Sequence, residues 1–165
     1  MMKEIKRMTP GKTGLLVVDI QERMMRVIHG KDEVVRNTVL LLKTAQVLNM
    51  PIVATTQYVA RIGELLPEIS AEMPDMTALD KLEFDCFSNP DIREKIGAHK
   101  EIDTWIACGV ETHICMYQTV CGGLNQGYTM WVPADAVSSR TPKNYETGLE
   151  RIRHIGGAVG NTEMI

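Results

Sequence analysis

A short apolar run that ends abruptly on a carboxylate constrains this chain more than any other feature. Gly14-Leu15-Leu16-Val17-Val18 carries no polar residue on either alternating face, and Asp19 follows at once. A strand written this way is buried on both sides, which occurs almost only in parallel sheets covered by helices on both faces. Pro51-Ile52-Val53-Ala54-Thr55-Thr56 repeats the pattern, with proline tolerated at the first strand position. Residues 102–108, 128–133 and 158–161 read as further strands.

Helical periods lie between them. Over residues 32–49, Val34, Val35, Thr38, Leu41, Leu42, Ala45 and Leu48 recur at spacings of three and four, one wide apolar face. Asn89-Pro90 opens a helix running to Gly97. Ile114, Tyr117, Cys121 and Leu124 continue another towards Gly127, and Thr141-Pro142 opens one carrying Tyr145, Leu149 and Ile152. Residues 57–76, with Gly63, Pro67 and Pro74, read as a loop with at most a short helix. In residues 78–87, Leu82, Phe84 and Cys86 alternate with Lys81, Glu83 and Asp85, a strand-like period broken before Leu82, and Gly109-Val110-Glu111-Thr112 reads as a turn. Strands and helices alternating at this spacing pair in parallel through right-handed crossovers, so the expected fold is an open three-layer α/β sheet.

Composition narrows the function classes. At 165 residues, with 44% hydrophobic and 24% charged, the chain reads as one globular domain spanning 1–165. A net charge of −3 gives no basic footprint, so no nucleic-acid partner is expected. No apolar stretch approaches the 18 or so residues of a membrane span, and the charged segment 1–12 does not read as a signal peptide. Four cysteines without a C-x-x-C pair point to a reducing, cytoplasmic setting.

In open α/β sheets ligands bind beyond the carboxyl ends of the strands, where strand order reverses. That rule singles out Asp19, the segment from Thr55 to Tyr58, Lys81, and the stretch from Gly109 to Cys115. If Thr112 caps a helix, Cys115 falls in its first turn, where backbone N–H groups favour a thiolate and should lower its pKa from about 8.5. The plain alternative is a small buried hydrophobe. Asp19 is costly to bury without a partner, and backbone N–H groups at a turn could serve as well as a catalytic neighbour. Lys81, among Asp80, Glu83 and Asp85, also fits a solvated charged face. Together the three supply nucleophile, proton acceptor and cation, the ingredients of covalent acyl transfer.

Other chemistry has less support. The four histidines (His29, His99, His113, His154) lack zinc spacings, so no metal is expected. His113 adjoins the cysteine, but successive helical residues point about 100° apart, which suits packing or capping better than general base. Pro10-Gly11-Lys12-Thr13 imitates the end of a phosphate loop, yet position 6 holds lysine rather than glycine and a strand follows. With no G-x-G-x-x-G, no cofactor is indicated. Cys86, Cys108 and Cys121 read as structural, and the 11 methionines as core filling.

These residues resemble the isochorismatase-like cysteine hydrolases, and among them the small isochorismatase-domain-containing proteins. The matching pieces are Leu15-Leu16-Val17-Val18-Asp19-Ile20-Gln21-Glu22, Val53-Ala54-Thr55-Thr56-Gln57-Tyr58, Asp80-Lys81-Leu82-Glu83-Phe84 and Gly109-Val110-Glu111-Thr112-His113-Ile114-Cys115. Val132-Pro133-Ala134-Asp135-Ala136-Val137-Ser138-Ser139-Arg140 and residues 157–164 follow in the same order. The resemblance implies a six-stranded parallel sheet of order 3-2-1-4-5-6 and a catalytic triad of Asp19, Lys81 and Cys115. It also implies a non-proline cis peptide between Val110 and Glu111, with the Glu111 and Cys115 N–H groups forming an oxyanion hole. The activity implied is hydrolysis of a small amide-like C–N bond through a thioester. Gln21, Gln57, Tyr58 and Phe87 are the expected substrate pocket. Family nicotinamidases carry metal-binding Asp and His after the second strand. Gln57 and Tyr58 stand there instead, so metal dependence is not expected.

Relatives assemble as dimers or larger, which implies a homo-oligomer. They also continue into a final helix, so an end at Ile165 would expose core or an oligomer surface. Competing readings are an isochorismatase-type ether hydrolase and a binding or scaffold protein that kept the fold without turnover. A phosphatase with Asp19 as nucleophile, and Thr55 or Thr56 with Lys81 on phosphate, would want an acid where Gln21 stands.

Overall fold

The computed structural model describes residues 7–165; the charged segment 1–6 lies outside the described residues. Strands β1 (Thr13–Val18), β2 (Ile52–Gln57), β3 (Leu79–Lys81), β4 (Thr104–Val110), β5 (Thr129–Pro133), β6 (Val137–Ser138) and β7 (Ala158–Gly160) form a seven-stranded sheet. Its order is β3-β2-β1-β4-β5-β7, and every pairing is parallel. The expected 3-2-1-4-5-6 order is therefore present, with β7 as its last strand. The addition is β6, which pairs Val137 with Gly109 and Ser138 with Val110 at the end of β4. That pairing extends β4 through the segment read from sequence as a turn.

Period-two alternation divides the core between the two sheet faces. Leu16 and Val18 pack with Trp105, Ala107, Ile92, Val120 and Ile152. Leu15 and Val17 pack with Ile106, Cys108, Val34, Leu41 and Leu42. The first face is covered by α5 (Pro90–Gly97), α6 (Tyr117–Asn125) and α7 (Pro142–His154). The second is covered by α2 (Lys31–Val47) with the one-turn helices α1 (Glu22–Met25) and α4 (Pro67–Ser70); α3 (Val59–Ile62) is another single turn. Each fully buried Leu or Val contributes about 1.5–3 kcal/mol. No helix among the described residues is long and apolar enough to cross a membrane.

Helix starts follow local chemistry. Asn89 Oδ1 accepts from the Asp91 and Ile92 amides, Thr141 Oγ1 accepts from Asn144, and proline opens both helices. The strand-like alternation at 78–87 survives only as β3. Beyond Lys81 the chain turns outward, with Leu82 and Phe84 exposed, and Asp85 closes a tight turn by accepting from the Phe87 amide and the Ser88 hydroxyl.

The meeting of β1 and β4 needs glycine. Gly109 sits at φ +128° opposite Val18, and a Cβ there would fall on the Val18 carbonyl oxygen. Gly109→Ala should cost at least about 3 kcal/mol in a urea titration. Gly11→Ala, where a Cβ meets nothing within 4 Å, should stay near wild type.

Candidate active site

Three strand ends and one helical turn bring the candidate residues together. Asp19 follows β1 in a left-handed conformation (φ 56°) and is completely buried. Lys81 closes β3, and its Nζ donates to Asp19 Oδ2 at 2.7 Å with both side chains at 0% exposure. Thr55 Oγ1 donates to the other carboxylate oxygen at 2.8 Å. Gln57 closes β2 directly beside Lys81 in the strand register, and its Oε1 accepts from Nζ, also at 2.7 Å. Cys115 Sγ lies 4.0 Å from that same Oε1 and interacts with the Asp19 carboxylate and the Lys81 ammonium.

The electrostatics differ from the expectation at one point. Burial pushes the Cys115 thiol up, the Asp19 carboxylate pushes it further, and the Lys81 ammonium offsets only part of this. This direction is opposite to the lowering expected from sequence, and it favours the protonated thiol at rest. The expected helix start is present, one residue earlier and in a different form: Glu111 rather than Thr112 stands at the N-cap, and Cys115 lies in the first turn. Thr112–Met116 forms a π-helical turn, and the Thr112 hydroxyl is buried without a partner, so it caps nothing. Burial would lower the Lys81 pKa, and the Asp19 carboxylate, through its charge and its hydrogen bond, is the chief opposing influence; the net shift is upward.

The expected substrate pocket divides. Tyr58 is 43% exposed, at φ 45°, at the end of β2. Gln21 is instead a fully buried staple. Its Oε1 accepts from the Gln57 amide at 2.7 Å, and its Nε2 donates to the Gln57 carbonyl at 3.2 Å and the Gly63 carbonyl at 2.6 Å. Phe87 also departs from expectation: it is a core residue, 5.7 Å from the Tyr128 ring, because the Asp85 turn folds it inward. Gln57 meets Lys81 rather than open space.

The Val110–Glu111 peptide is cis. Burial would raise the Glu111 carboxyl, but Arg140 outweighs it, donating from its backbone amide at 2.9 Å and its Nη2 at 2.7 Å, and holds the carboxyl below its usual range. His113 Nδ1 lies within hydrogen-bond distance, 3.0 Å, of the Ser139 hydroxyl. Cys86 is a fully buried thiol pushed up to about 12 by burial, 4.0 Å from Thr55 Oγ1. Thr55 and Cys86 thus belong to the polar layer around Asp19. Their positions at the end of β2 and after β3 were the available signal. Thr56 donates to Asp80 and not towards Asp19, which removes it from a phosphate site.

A metal does not fit at the end of β2. The oxygen offered there is Gln57 Oε1, already facing an ammonium. Among the described residues, no group of three His, Cys, Asp or Glu converges on one point.

The isochorismatase domain matches residues 13–164. The chain belongs to the isochorismatase family. Its relatives include the secreted isochorismatase effector Isc1 of Phytophthora sojae (strain P6497), 34% identical over 98% of this chain and 78% of the relative. Isochorismatase domain-containing protein 2 of Bos taurus is 30% identical over 95% of this chain and 74% of that protein. Among solved structures, the YcaC gene product of Escherichia coli, described as an octameric hydrolase of unknown specificity, shares the fold. The TM-score is 0.88 at 22% identity, over 97% of this chain and 80% of that one. Family membership supports a hydrolase-type enzyme.

Removing one member of a buried ion pair leaves an uncompensated charge and costs about 3–5 kcal/mol. Lys81→Met should lose that much by urea titration. Adding Asp19→Asn should cost less than the sum of the two single changes, since the second removes the orphaned charge.

Proposed function

We propose that this isochorismatase-family chain is a cysteine hydrolase that cleaves a small amide-like C–N bond through a thioester on Cys115, without a metal. The observation that carries the reading is the Asp19–Lys81 contact, sealed from water and placed against a thiol. A buried ion pair contributes little stability that apolar side chains could not match. Placed where strand order reverses and beside a nucleophile, it has a chemical use.

Asp19 accepts the Cys115 proton as sulfur attacks the substrate carbonyl carbon, and Lys81 compensates the charge that moves onto sulfur. The backbone N–H groups of Glu111 and Cys115 serve as oxyanion donors. The tetrahedral adduct collapses, the C–N bond breaks, and Asp19 passes the proton to the leaving amine. Water then gives a proton to Asp19 as its oxygen attacks the thioester. The C–S bond breaks, and the sulfur recovers the proton, leaving acid and amine as products. A neutral resting thiol suits this sequence, because the proton needed by the amine is already in the site. The poor fit of a metal beside Gln57 supports the metal-free form. Exposed Leu40 and Val47 on α2, with Leu48 just after it, support assembly with further copies of the chain.

On a responsive amide found in a small-molecule screen, Cys115→Ser should lose at least about 10³-fold in kcat, and EDTA should change nothing. Asp19→Asn separates charge from proton transfer. With the neighbouring anion gone, the Cys115 pKa should fall and its iodoacetamide labelling at pH 7 should quicken, while turnover disappears. Turnover surviving in Asp19→Asn would overturn the proton route.

A further inference from the structure

We propose that Gln57 is a positioning residue, whose single carboxamide oxygen holds the Lys81 ammonium and the Cys115 thiol side by side. Both groups meet at that oxygen: Nζ at 2.7 Å and Sγ at 4.0 Å, the latter at the long end of a sulfur contact. A carboxamide oxygen has two lone pairs and no charge, so it accepts from both without drawing the ammonium away from Asp19.

The orientation of the amide is determined by its surroundings. Nε2 donates to the Leu82 carbonyl at 2.9 Å, so exchanging nitrogen and oxygen would set NH₂ against an ammonium and oxygen against a carbonyl. The backbone of Gln57 is equally held, with Gln21 bonding both its amide and its carbonyl, and with Lys81 as its neighbour across β2 and β3. The side chain is 7% exposed, and its polar ends point into the protein. This geometry assigns Gln57 to the arrangement of nucleophile and cation rather than to substrate contact.

The chemistry distinguishes glutamine from its isosteres. Leucine at 57 would take an acceptor away from the S–H, which favoured the protonated thiol, and would leave the ammonium one fewer partner. Both effects ease ionisation of Cys115. Glutamate would keep an acceptor for Lys81 but set a second carboxylate near the sulfur, making ionisation harder.

The test measures the pH dependence of iodoacetamide labelling at Cys115, located by mass spectrometry, in the intact protein. Gln57→Leu should label several-fold faster than wild type near pH 7, and Gln57→Glu several-fold slower. Opposite displacements are not what a general loosening of the fold produces. Equal labelling in all three, or displacement in one direction, overturns the proposal. If Gln57→Leu fails to fold, Gln57→Glu decides alone, and labelling no slower than wild type overturns it. The kinetic arm rests on the hydrolase reading: Gln57→Leu should lose about 10- to 100-fold in kcat with little change in KM. A rise in KM at unchanged kcat would make Gln57 a substrate contact and overturn the proposal. Labelling needs no substrate, so opposite shifts with no turnover on any amide would sink the hydrolase reading and leave the positioning role standing.

Discussion

The buried contact between Lys81 and Asp19 is the constraint around which the site is arranged. Neither charge can be hydrated, so each must find its compensation within the protein. Asp19 obtains it from Lys81 and the Thr55 hydroxyl, and Lys81 from Asp19 and the Gln57 amide. Those partners come from the ends of β1, β2 and β3, so the strand order is what makes the neutralisation possible. The thiol sits beside this pair, where burial and the Asp19 carboxylate together outweigh the Lys81 ammonium and favour its protonated form.

The sheet was legible in the sequence because its signals are strong and local. A strand such as Leu15 to Val18, with no polar alternation, has few places to go other than the middle of a parallel sheet. Proline and a side-chain oxygen at Asn89-Pro90 and Thr141-Pro142 mark helix starts that depend only on neighbours. The short edge strand was less legible. The alternation of Leu82, Phe84 and Cys86 runs on after β3 has ended at Lys81, into a stretch that the Asp85 turn folds back. β6 is two residues long, and pairing with Gly109 and Val110 defines it more than any propensity of its own.

The site was legible in its members and less so in its physics. Asp19 could be chosen because it stands where a strand should end and Cys115 because it opens a helix after one, while Lys81 gained its weight from the family resemblance. The ionisation state of the sulfur could not be read this way. It depends on how far burial and a carboxylate outweigh an ammonium, which is set by three-dimensional distance. The same holds for Gln21 and Phe87. A glutamine near a strand end reads as a ligand contact until its bonds to the Gln57 and Gly63 backbone are seen, and Phe87 points inward only because the Asp85 turn reverses the chain.

A protonated sulfur has a consequence outside turnover. Peroxide and stray electrophiles attack the thiolate far more readily than the thiol. Burial and the Asp19 carboxylate, which favour the protonated sulfur, thereby also shield Cys115 from such reagents, and in the proposed mechanism that same carboxylate is the group that takes the proton when a carbonyl arrives.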